Sequence, residues 1–168
     1  MTSTRRQNAD TKGRIAARTQ PMFNRVLPAH PAAVRDTLGD IRRRFAAEVG
    51  EDTLARLELV LAEVMNNVTE HGAGISVEDD PRRAPSIHIS IVRHVSGLCC
   101  AITDDGASLP DDCLQPRCLP SLTQPELPEG GWGWYLIQDL TQALCYFRED
   151  QRNYLAFSVP FSEEARPL

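Results

Sequence analysis

The chain has 168 residues, of which 24% are charged, and its formal charge at pH 7 is -5. This length predicts a single domain, and the acidic balance argues against general nucleic-acid binding, which usually requires a basic face. Lys12 is the one lysine among 18 basic residues, and it lies in a polar N-terminal segment. A lysine-dependent phosphate loop is therefore excluded, and a Schiff-base enzyme is disfavoured. A GC-rich genome that favours arginine codons would explain the same scarcity of lysine.

The first 19 residues are rich in Arg, Ser and Thr and predict a flexible tail ahead of one domain over residues 20–162. No stretch approaches the ~18 apolar residues that a membrane span needs, and the tail lacks the apolar core of a secretory signal. We therefore expect a cytoplasmic protein without membrane contact. The odd number of cysteines, without zinc-site spacing, favours buried reduced thiols. These are Cys99, Cys100, Cys113, Cys118 and Cys145.

Hydrophobic periodicity predicts an α+β chain with five strands and three helices. Predicted strands cover residues 22–27, 86–94, 98–103, 143–148 and 154–159, and predicted helices run from Pro31 to Gly50, from Asp52 or Thr53 to His71 and from Trp134 to Leu144. Asp52 or Thr53 is expected to cap the second helix, and Ser96-Gly97 to form a hairpin turn. Residues 73–85 and 106–131 are predicted loops, and one as long as the second is usually functional or disordered.

Within the second helix, Glu63 and Asn67 are four residues apart, so their side chains meet on one face about 5–6 Å apart. His71 follows one turn later, near the same face. A carboxylate and an amide placed in this way could supply a base and a ligand for Mg²⁺, which needs only one or two protein oxygens beside phosphates. A solvated polar face on a core helix would give the same pattern.

The second group of polar residues follows the second strand of the hairpin, where Asp104 is succeeded by Asp105, Gly106, Ala107 and Ser108. A fixed carboxylate at this point could accept a hydrogen bond from the amine of adenine, whereas the matching oxygen of guanine would be repelled. An ordinary turn after a buried strand is the alternative interpretation.

Glycines form the third group, at Gly130, Gly131 and Gly133 before the third helix. Glycines at a helix start let backbone N–H groups approach an anion, and the helix dipole reinforces them. Phosphates can thus be bound without lysine. A flexible hinge at a helix start remains the alternative, whereas a dinucleotide-binding fold is excluded because its glycines follow a first strand.

These three groups, in this order and spacing, resemble the N, G1 and G2 boxes of the GHKL (Bergerat) ATP-binding fold. The segments LAEVMNNVTEHG, ITDDGASLP and GGWGWYLI look most like the anti-sigma-factor serine/threonine kinases of the RsbW and SpoIIAB type. The closing YFREDQRNYLAF is similar to that family's last two strands. The resemblance covers about residues 20–160 and implies a two-layer α/β sandwich with a mixed, mostly antiparallel sheet and helices on one face.

By this resemblance, Glu63 would be the catalytic base that takes a proton from a serine or threonine of a partner protein. Asn67 would coordinate the Mg²⁺ that bridges the phosphates of ATP. Asp104 would recognise the adenine amine, and Gly106 would give the base room. The remaining residues of the implied nucleotide site are His71, Ser108, Gly130, Gly131 and Gly133, with residues 107–130 as the lid. The family's phosphate-contacting arginine stays open among Arg25, Arg35, Arg42 and Arg117.

The resemblance implies an ATP-dependent serine/threonine kinase that binds a sigma factor and phosphorylates a STAS-domain anti-anti-sigma protein. Homodimerisation is plausible on the same ground, and no direct binding to nucleic acid is implied. An alternative is a non-catalytic or weakly catalytic nucleotide-binding regulator that sequesters a protein partner. Trp132 and Trp134 motivate that alternative, because two large side chains at the glycine box could crowd the lid or stack on a base. A sensor histidine kinase is disfavoured, since His30 lies next to Pro31, a poor place for a helix interior.

Overall fold

The computed structural model describes residues 22–71, 84–109 and 132–162. In chain order the elements are β1 (Met22–Pro28), α1 (Pro31–Phe45), α2 (Glu51–His71), β2 (Ser86–His94), β3 (Gly97–Asp104), α3 (Trp132–Leu140), β4 (Gln142–Glu149) and β5 (Arg152–Pro160). The five strands form one sheet in the order β1-β2-β3-β5-β4. The α+β prediction is confirmed. None of the described helices is long and apolar enough to cross a membrane.

The resemblance implied a mixed, mostly antiparallel sheet. In the described sheet all four strand pairings are antiparallel. Two of these pairings, β2 with β3 and β4 with β5, follow directly from short connections, because a tight hairpin joins only antiparallel strands. The β4–β5 turn places Asp150 and Gln151 at φ 47° and 64°. Two successive positive φ values are typical of the tight hairpin turn that matches the twist of the strands.

One face of the sheet carries the apolar core. Ile87, Ile89 and Ile91 alternate along β2 and are at most 1% exposed, as the period of two of a strand requires. The same face of β3 ends at Asp104, and the same face of β5 begins at Asn153. These two buried polar residues are register partners. The apolar face of the sheet therefore ends in a polar pair at one edge of the core.

Helix α2 lies over this face and packs between α1 and α3. It begins one residue before the predicted cap, since the N–H of Leu54 bonds to the carbonyl of Gly50. The predicted cap at Asp52 or Thr53 is therefore wrong, because both lie within the first helical turn. Their side chains instead bond to Ser162, just after β5. Thr53 accepts from the N–H of Ser162 at 3.1 Å, and Asp52 accepts from the hydroxyl of Ser162.

The predicted third helix was too long, because Leu144 belongs to β4. Helix α3 ends at Leu140, and a bulge in β4 lies between Gln142 and Cys145. Ala143 in this bulge has φ 53°. A residue with positive φ cannot continue a right-handed helix, and it starts the strand instead.

Two further predictions needed correction. Gly97 begins β3 rather than closing the turn, and a Cβ there would lie 2.3 Å from the carbonyl oxygen of Val159, so only glycine permits the two strands to approach.

The cysteines were expected to be buried, but only Cys100 of the three described ones is; Cys99 and Cys145 are exposed. Alternation along β3 places neighbouring cysteines on opposite faces. The predicted tail and most of residues 73–85 lie outside the described residues.

Candidate functional site

Asp104 ends β3 with its side chain buried at 8% exposure. Its Oδ1 accepts from the backbone N–H of Gly106 at 2.9 Å and from Nδ2 of Asn153 at 2.8 Å. Burial raises the pKa of Asp104, and the hydrogen bonds from Asn153 and Gly106 oppose that rise because they stabilise the ionised form. Both hydrogen bonds fall on the same oxygen. A carboxylate fixed in this way has a second oxygen, Oδ2, with which to accept from a ligand.

Asn153 is the centre of a hydrogen-bond network beneath this carboxylate, and it is only 4% exposed. Besides Asp104, its Nδ2 donates to the carbonyl of Ala107 at 2.8 Å. Its Oδ1 accepts from the hydroxyl of Tyr146 and from Nη1 of Arg148, both at 2.7 Å. The network therefore ties the end of β3 and the following turn to both β4 and β5.

The turn after β3 is held by side chains from β4. Arg148 donates from Nη1 to the carbonyl of Gly106 at 2.9 Å. The Tyr146 hydroxyl accepts from the N–H of Leu109 at 3.1 Å and lies 3.3 Å from Oγ of Ser108. Gly106 itself is buried, whereas Ser108 is exposed. Two β4 side chains thus set the path of the chain where it leaves the sheet.

Gly133, in the first turn of α3, lies directly against Glu63 of α2. A Cβ at Gly133 would stand 2.5 Å from Oε2 and 3.4 Å from Cδ of Glu63, and real Cβ atoms do not approach other heavy atoms as closely as 2.5 Å. Glycine is therefore what allows the carboxylate to lie beside the start of α3. The structure brings together two residues that the sequence predicts for the same site, 70 positions apart in the chain.

Asn67 lies one helical turn after Glu63 on α2. Its Nδ2 is buried and has no hydrogen-bond partner among the described residues. A buried donor without a partner costs about 1–3 kcal/mol, and an acceptor on a ligand, such as a phosphate oxygen, would relieve that cost. The described residues contain no cluster of three or more His, Cys, Asp and Glu that could hold a metal alone. An asparagine oxygen with the phosphates of ATP fits Mg²⁺, which keeps most of its waters.

Other predicted site residues fall outside these contacts. His71 ends α2 and is exposed, with Nε2 3.9 Å from Oε2 of the neighbouring Glu70. It therefore takes no part in the recorded contacts around Asp104 or around Glu63. Gly130 and Gly131 lie outside the described residues, as does most of the predicted lid.

The candidate arginines are partly accounted for by ion pairs. Arg25 is paired with Asp40, and Arg42 donates to both oxygens of Glu58 at 2.7 and 2.8 Å. Arg35 is exposed on α1, and Arg117 lies outside the described residues. Arg25 and Arg42 therefore connect structural elements, and the two remaining candidates stay open.

Trp134 is 7% exposed and belongs to the hydrophobic core. A side chain packed in this way cannot stack on a bound base or crowd a lid. The interpretation of the tryptophans as obstacles at the glycine box is therefore wrong for Trp134; the side chain of Trp132 lies outside the described part.

The sequence reasoning missed Asn153, Tyr146 and Arg148. One signal was available for Asn153: residues 153, 155, 157 and 159 alternate along β5, and the first of them is an amide on an otherwise apolar face. The partners of Asn153 could not be found without the strand register. Tyr146 and Arg148 come from β4, which pairs with β5 across a tight turn, and they reach the turn after β3 only because β5 in turn pairs with β3.

Comparison with known proteins identifies the family and the fold of the chain. A family model described as the histidine kinase-like ATPase domain matches residues 25–159. No curated protein sequence matches the chain. A similar solved structure is that of the RsbU and RsbW domains of Rv1364c from Mycobacterium tuberculosis, with a TM-score of 0.58, 14% identity, and coverage of 88% of this chain and 34% of that chain. The TM-score shows a similar fold, and at this low identity the comparison shows no more than that. Our chain spans about a third of the solved chain.

The family match extends over most of the chain, from within β1 to the end of β5. It includes the residues of both contact clusters, on α2 and α3 and on β3, β4 and β5. An ATPase domain implies a binding site for ATP. The chain belongs to the histidine kinase-like ATPase domain family.

Proposed function

We propose that the chain is an ATP-dependent protein serine/threonine kinase that acts as an anti-sigma factor in a partner switch. It binds a sigma factor in the cytoplasm and phosphorylates the STAS-domain anti-anti-sigma protein that releases it. The contact between Glu63 and Gly133 carries the proposal. It places a carboxylate beside the glycine-containing start of a helix, the kind of position that favours phosphate. The solved structure of similar fold, which contains an RsbW domain, supports the same assignment.

In this proposal Asp104 accepts a hydrogen bond from the exocyclic amine of adenine through Oδ2, since its hydrogen bonds to Gly106 and Asn153 both fall on Oδ1. Gly106, which follows it in the buried turn, gives the base room. At the other end of the nucleotide, Gly131 and Gly133 run along the phosphates. Asn67 holds Mg²⁺ through its side-chain oxygen, and when bound the ion neutralises charge on the phosphates.

Glu63 is the general base. It takes the proton from the serine or threonine hydroxyl of the partner while the hydroxyl oxygen forms a bond to the γ-phosphorus and the bond to the β-phosphate breaks. ADP leaves, and the partner carries the phosphoryl group. Positioning and charge stabilisation dominate such a transfer, and a general base typically adds ~10²–10⁴-fold.

The test measures phosphotransfer from labelled ATP to STAS-domain proteins of the same genome, with the wild type and Glu63→Gln. We expect Glu63→Gln to lower the transfer rate ~10²–10⁴-fold while ATP binding, followed by calorimetry, changes little. Glu51→Gln at the exposed start of the same helix is the matched control and retains the wild-type rate.

Transfer by Glu63→Gln at the wild-type rate would contradict its role as the base. If the wild type binds ATP but transfers phosphate to none of the STAS proteins, the protein is a nucleotide-binding regulator rather than a kinase. Absence of ATP binding by the wild type would overturn the proposal as a whole.

A further inference from the structure

Every hydrogen-bonding group of the Asn153 side chain is engaged inside the protein. Its Nδ2 donates to Asp104 and to the carbonyl of Ala107, and its Oδ1 accepts from Tyr146 and Arg148, at 2.7–2.8 Å in each case. An amide offers two donor hydrogens and two acceptor lone pairs, so none remains for a ligand. Asn153 therefore acts on the site only through the groups that it holds.

We propose that Asn153 is a positioning residue that sets which purine the site accepts, because it holds Asp104 as a hydrogen-bond acceptor. The inference rests on the proposed ATP site. Adenine presents an amine where guanine and hypoxanthine present a carbonyl oxygen. An ionised carboxylate accepts from the amine and repels the oxygen, whereas a protonated carboxyl can donate to the oxygen. The ionisation of Asp104 thus decides the selectivity.

Asp104 lies where ionisation is opposed by its surroundings and supported by few groups. Burial is the largest influence and raises the pKa of Asp104, while the hydrogen bonds from Asn153 and from the N–H of Gly106 lower it. The Gly106 donor is part of the backbone and stays in any variant. Asn153 supplies the side-chain donor on this carboxylate and is the largest influence that lowers its pKa, so its substitution is expected to change the protonation of Asp104 most.

The charged groups around Asp104 add to this balance from three strands. The neighbouring Asp105 raises the pKa of Asp104, and Arg148 on β4 lowers it. His88 on β2 and Arg152 on β5 line a narrow cleft together with both aspartates. All four residues are kept when Asn153 is replaced, so a change in pH dependence is attributed to the group at position 153 and its contacts with Asp104 and Arg148.

Tyr146 connects Asn153 to the residues that follow the turn after β3. Its hydroxyl donates to Oδ1 of Asn153 and accepts from the N–H of Leu109. Removal of this hydroxyl loosens Asn153 without changing the charge beside Asp104. A smaller loss of selectivity is therefore expected, without a new dependence on pH.

The experiment measures dissociation constants for ATP and for inosine triphosphate, which has a carbonyl oxygen in place of the adenine amine, over pH 6 to 9. The wild type is expected to prefer ATP by a constant ratio across this range. Asn153→Asp has the same shape but places a second carboxylate on Asp104, and two such groups share a proton. We expect its preference for ATP to fall at least ~tenfold at the acidic end and to recover as pH rises.

Two tyrosine variants complete the test. Tyr146→Phe is expected to lower the preference for ATP by roughly threefold at every pH, the equivalent of one lost hydrogen bond of modest strength. Tyr154→Phe is the matched control, because Tyr154 neighbours Asn153 on β5 but stacks on Phe147, with ring centroids 4.6 Å apart. It should leave the selectivity unchanged.

The outcomes separate the inference from the function on which it rests. If the wild type binds ATP selectively but Asn153→Asp lowers affinity for both nucleotides equally at every pH, Asn153 has a structural role and the inference is wrong. Should Asn153→Asp not fold, Tyr146→Phe decides alone: an unchanged ratio refutes the inference. A wild type that binds neither nucleotide refutes the proposed function, and with it the inference.

Discussion

The candidate site has two halves that are built in opposite ways. The strand half consists of Asp104, Tyr146, Arg148 and Asn153, and the helix half consists of Glu63, Asn67 and Gly133. In the strand half the side chains bond to one another, and Asn153 is saturated with hydrogen bonds. In the helix half, the buried Nδ2 of Asn67 has no partner in the described part of the chain, and Gly133 makes space for Glu63.

This contrast teaches which part of a ligand the protein prepares for in advance. Side chains that hydrogen-bond to one another keep their positions before a ligand binds. Such preorganisation suits the recognition of a rigid, planar base. Groups that lack partners gain them from the ligand, which suits phosphates and a hydrated ion. Under the proposed function, the strand half therefore holds its ligand-facing groups in place before binding, and the helix half gains partners when the phosphates bind.

The largest expected effect is a difference between two identical substitutions, one in each half. Asn153→Leu removes donors from Asp104 and Ala107 and leaves Arg148 and Tyr146 without their acceptor, so we expect a loss of ~3 kcal/mol or more in the free energy of unfolding. Asn67→Leu removes a buried group that has no partner, so it should stay within ~1 kcal/mol of the wild type or exceed it.

Urea denaturation of both variants without nucleotide measures this difference. Equal destabilisation by the two substitutions would show that the helix half is held by internal contacts as well, and the contrast between the halves would be lost. A circular dichroism spectrum of each variant before denaturation controls for loss of the fold.

The second prediction concerns stabilisation by the ligand. With Mg-ATP at about 100 times its dissociation constant, the wild type should gain ~2.7 kcal/mol in stability. Under the same concentrations Asn67→Leu should gain at least ~1.4 kcal/mol less, which corresponds to a tenfold loss of affinity. Because the proposed role of Asn67 is to hold Mg²⁺, chelation of the ion should bring the two proteins together; a persistent difference without Mg²⁺ would contradict that role.

A third prediction tests the contact between the helices. Gly133→Ala places a Cβ 2.5 Å from Oε2 of Glu63, so the carboxylate must move, and we expect the phosphotransfer rate to fall about tenfold, ~1.4 kcal/mol in the barrier. Gly39→Ala is the matched control, since its Cβ would be at an ordinary 3.6 Å from Arg43. Gly39→Ala should gain ~0.5–1 kcal/mol in stability from helix propensity without any change in transfer. An unaltered rate for Gly133→Ala would show that the position of Glu63 is not limiting.

Glu63 and Asn67 of the helix half could be predicted together from the sequence because their relative geometry is local. Glu63 and Asn67 are four residues apart, and a helix places such residues on one face whatever the rest of the chain does. The strand half could be predicted only at Asp104, whose position at the end of an apolar strand is visible in the sequence. Its supports come from β4 and β5, which are distant in sequence, and the register that brings β5 beside β3 depends on tertiary pairing.

The errors have the same origin. Trp134 stands beside the glycines in sequence, which suggested a place at the ligand, but the helix turns its side chain into the core. Leu144 continues the helical spacing, yet the positive φ of Ala143 ends the helix pattern before it. In both cases local spacing was outweighed by packing against the sheet.

The smallest expected effect separates stability from function within the strand half. The pKa of Asp104 is raised above its unfolded value, chiefly by burial, so the ionised group costs stability at pH values above the folded pKa and this cost is relieved as pH falls through it. Asp104→Asn retains an oxygen that can accept from Gly106 and Asn153 but carries no charge. We expect it to raise the free energy of unfolding by ~1 kcal/mol at neutral pH, and to lower ATP affinity at least tenfold because the amide also presents a donor.

The gain in stability should shrink as the pH is lowered toward the ordinary range of a carboxyl, because the wild-type group then takes up its proton and loses the same cost. Denaturation of both proteins at neutral and at acidic pH measures this, and the difference between them cancels the contributions of other carboxyl groups. A gain that stays constant with pH would mean that burial of the charge is not its cause. A loss of stability at neutral pH would mean that the carboxylate is held for its own contacts, and that the strand half does not sacrifice stability to recognise adenine.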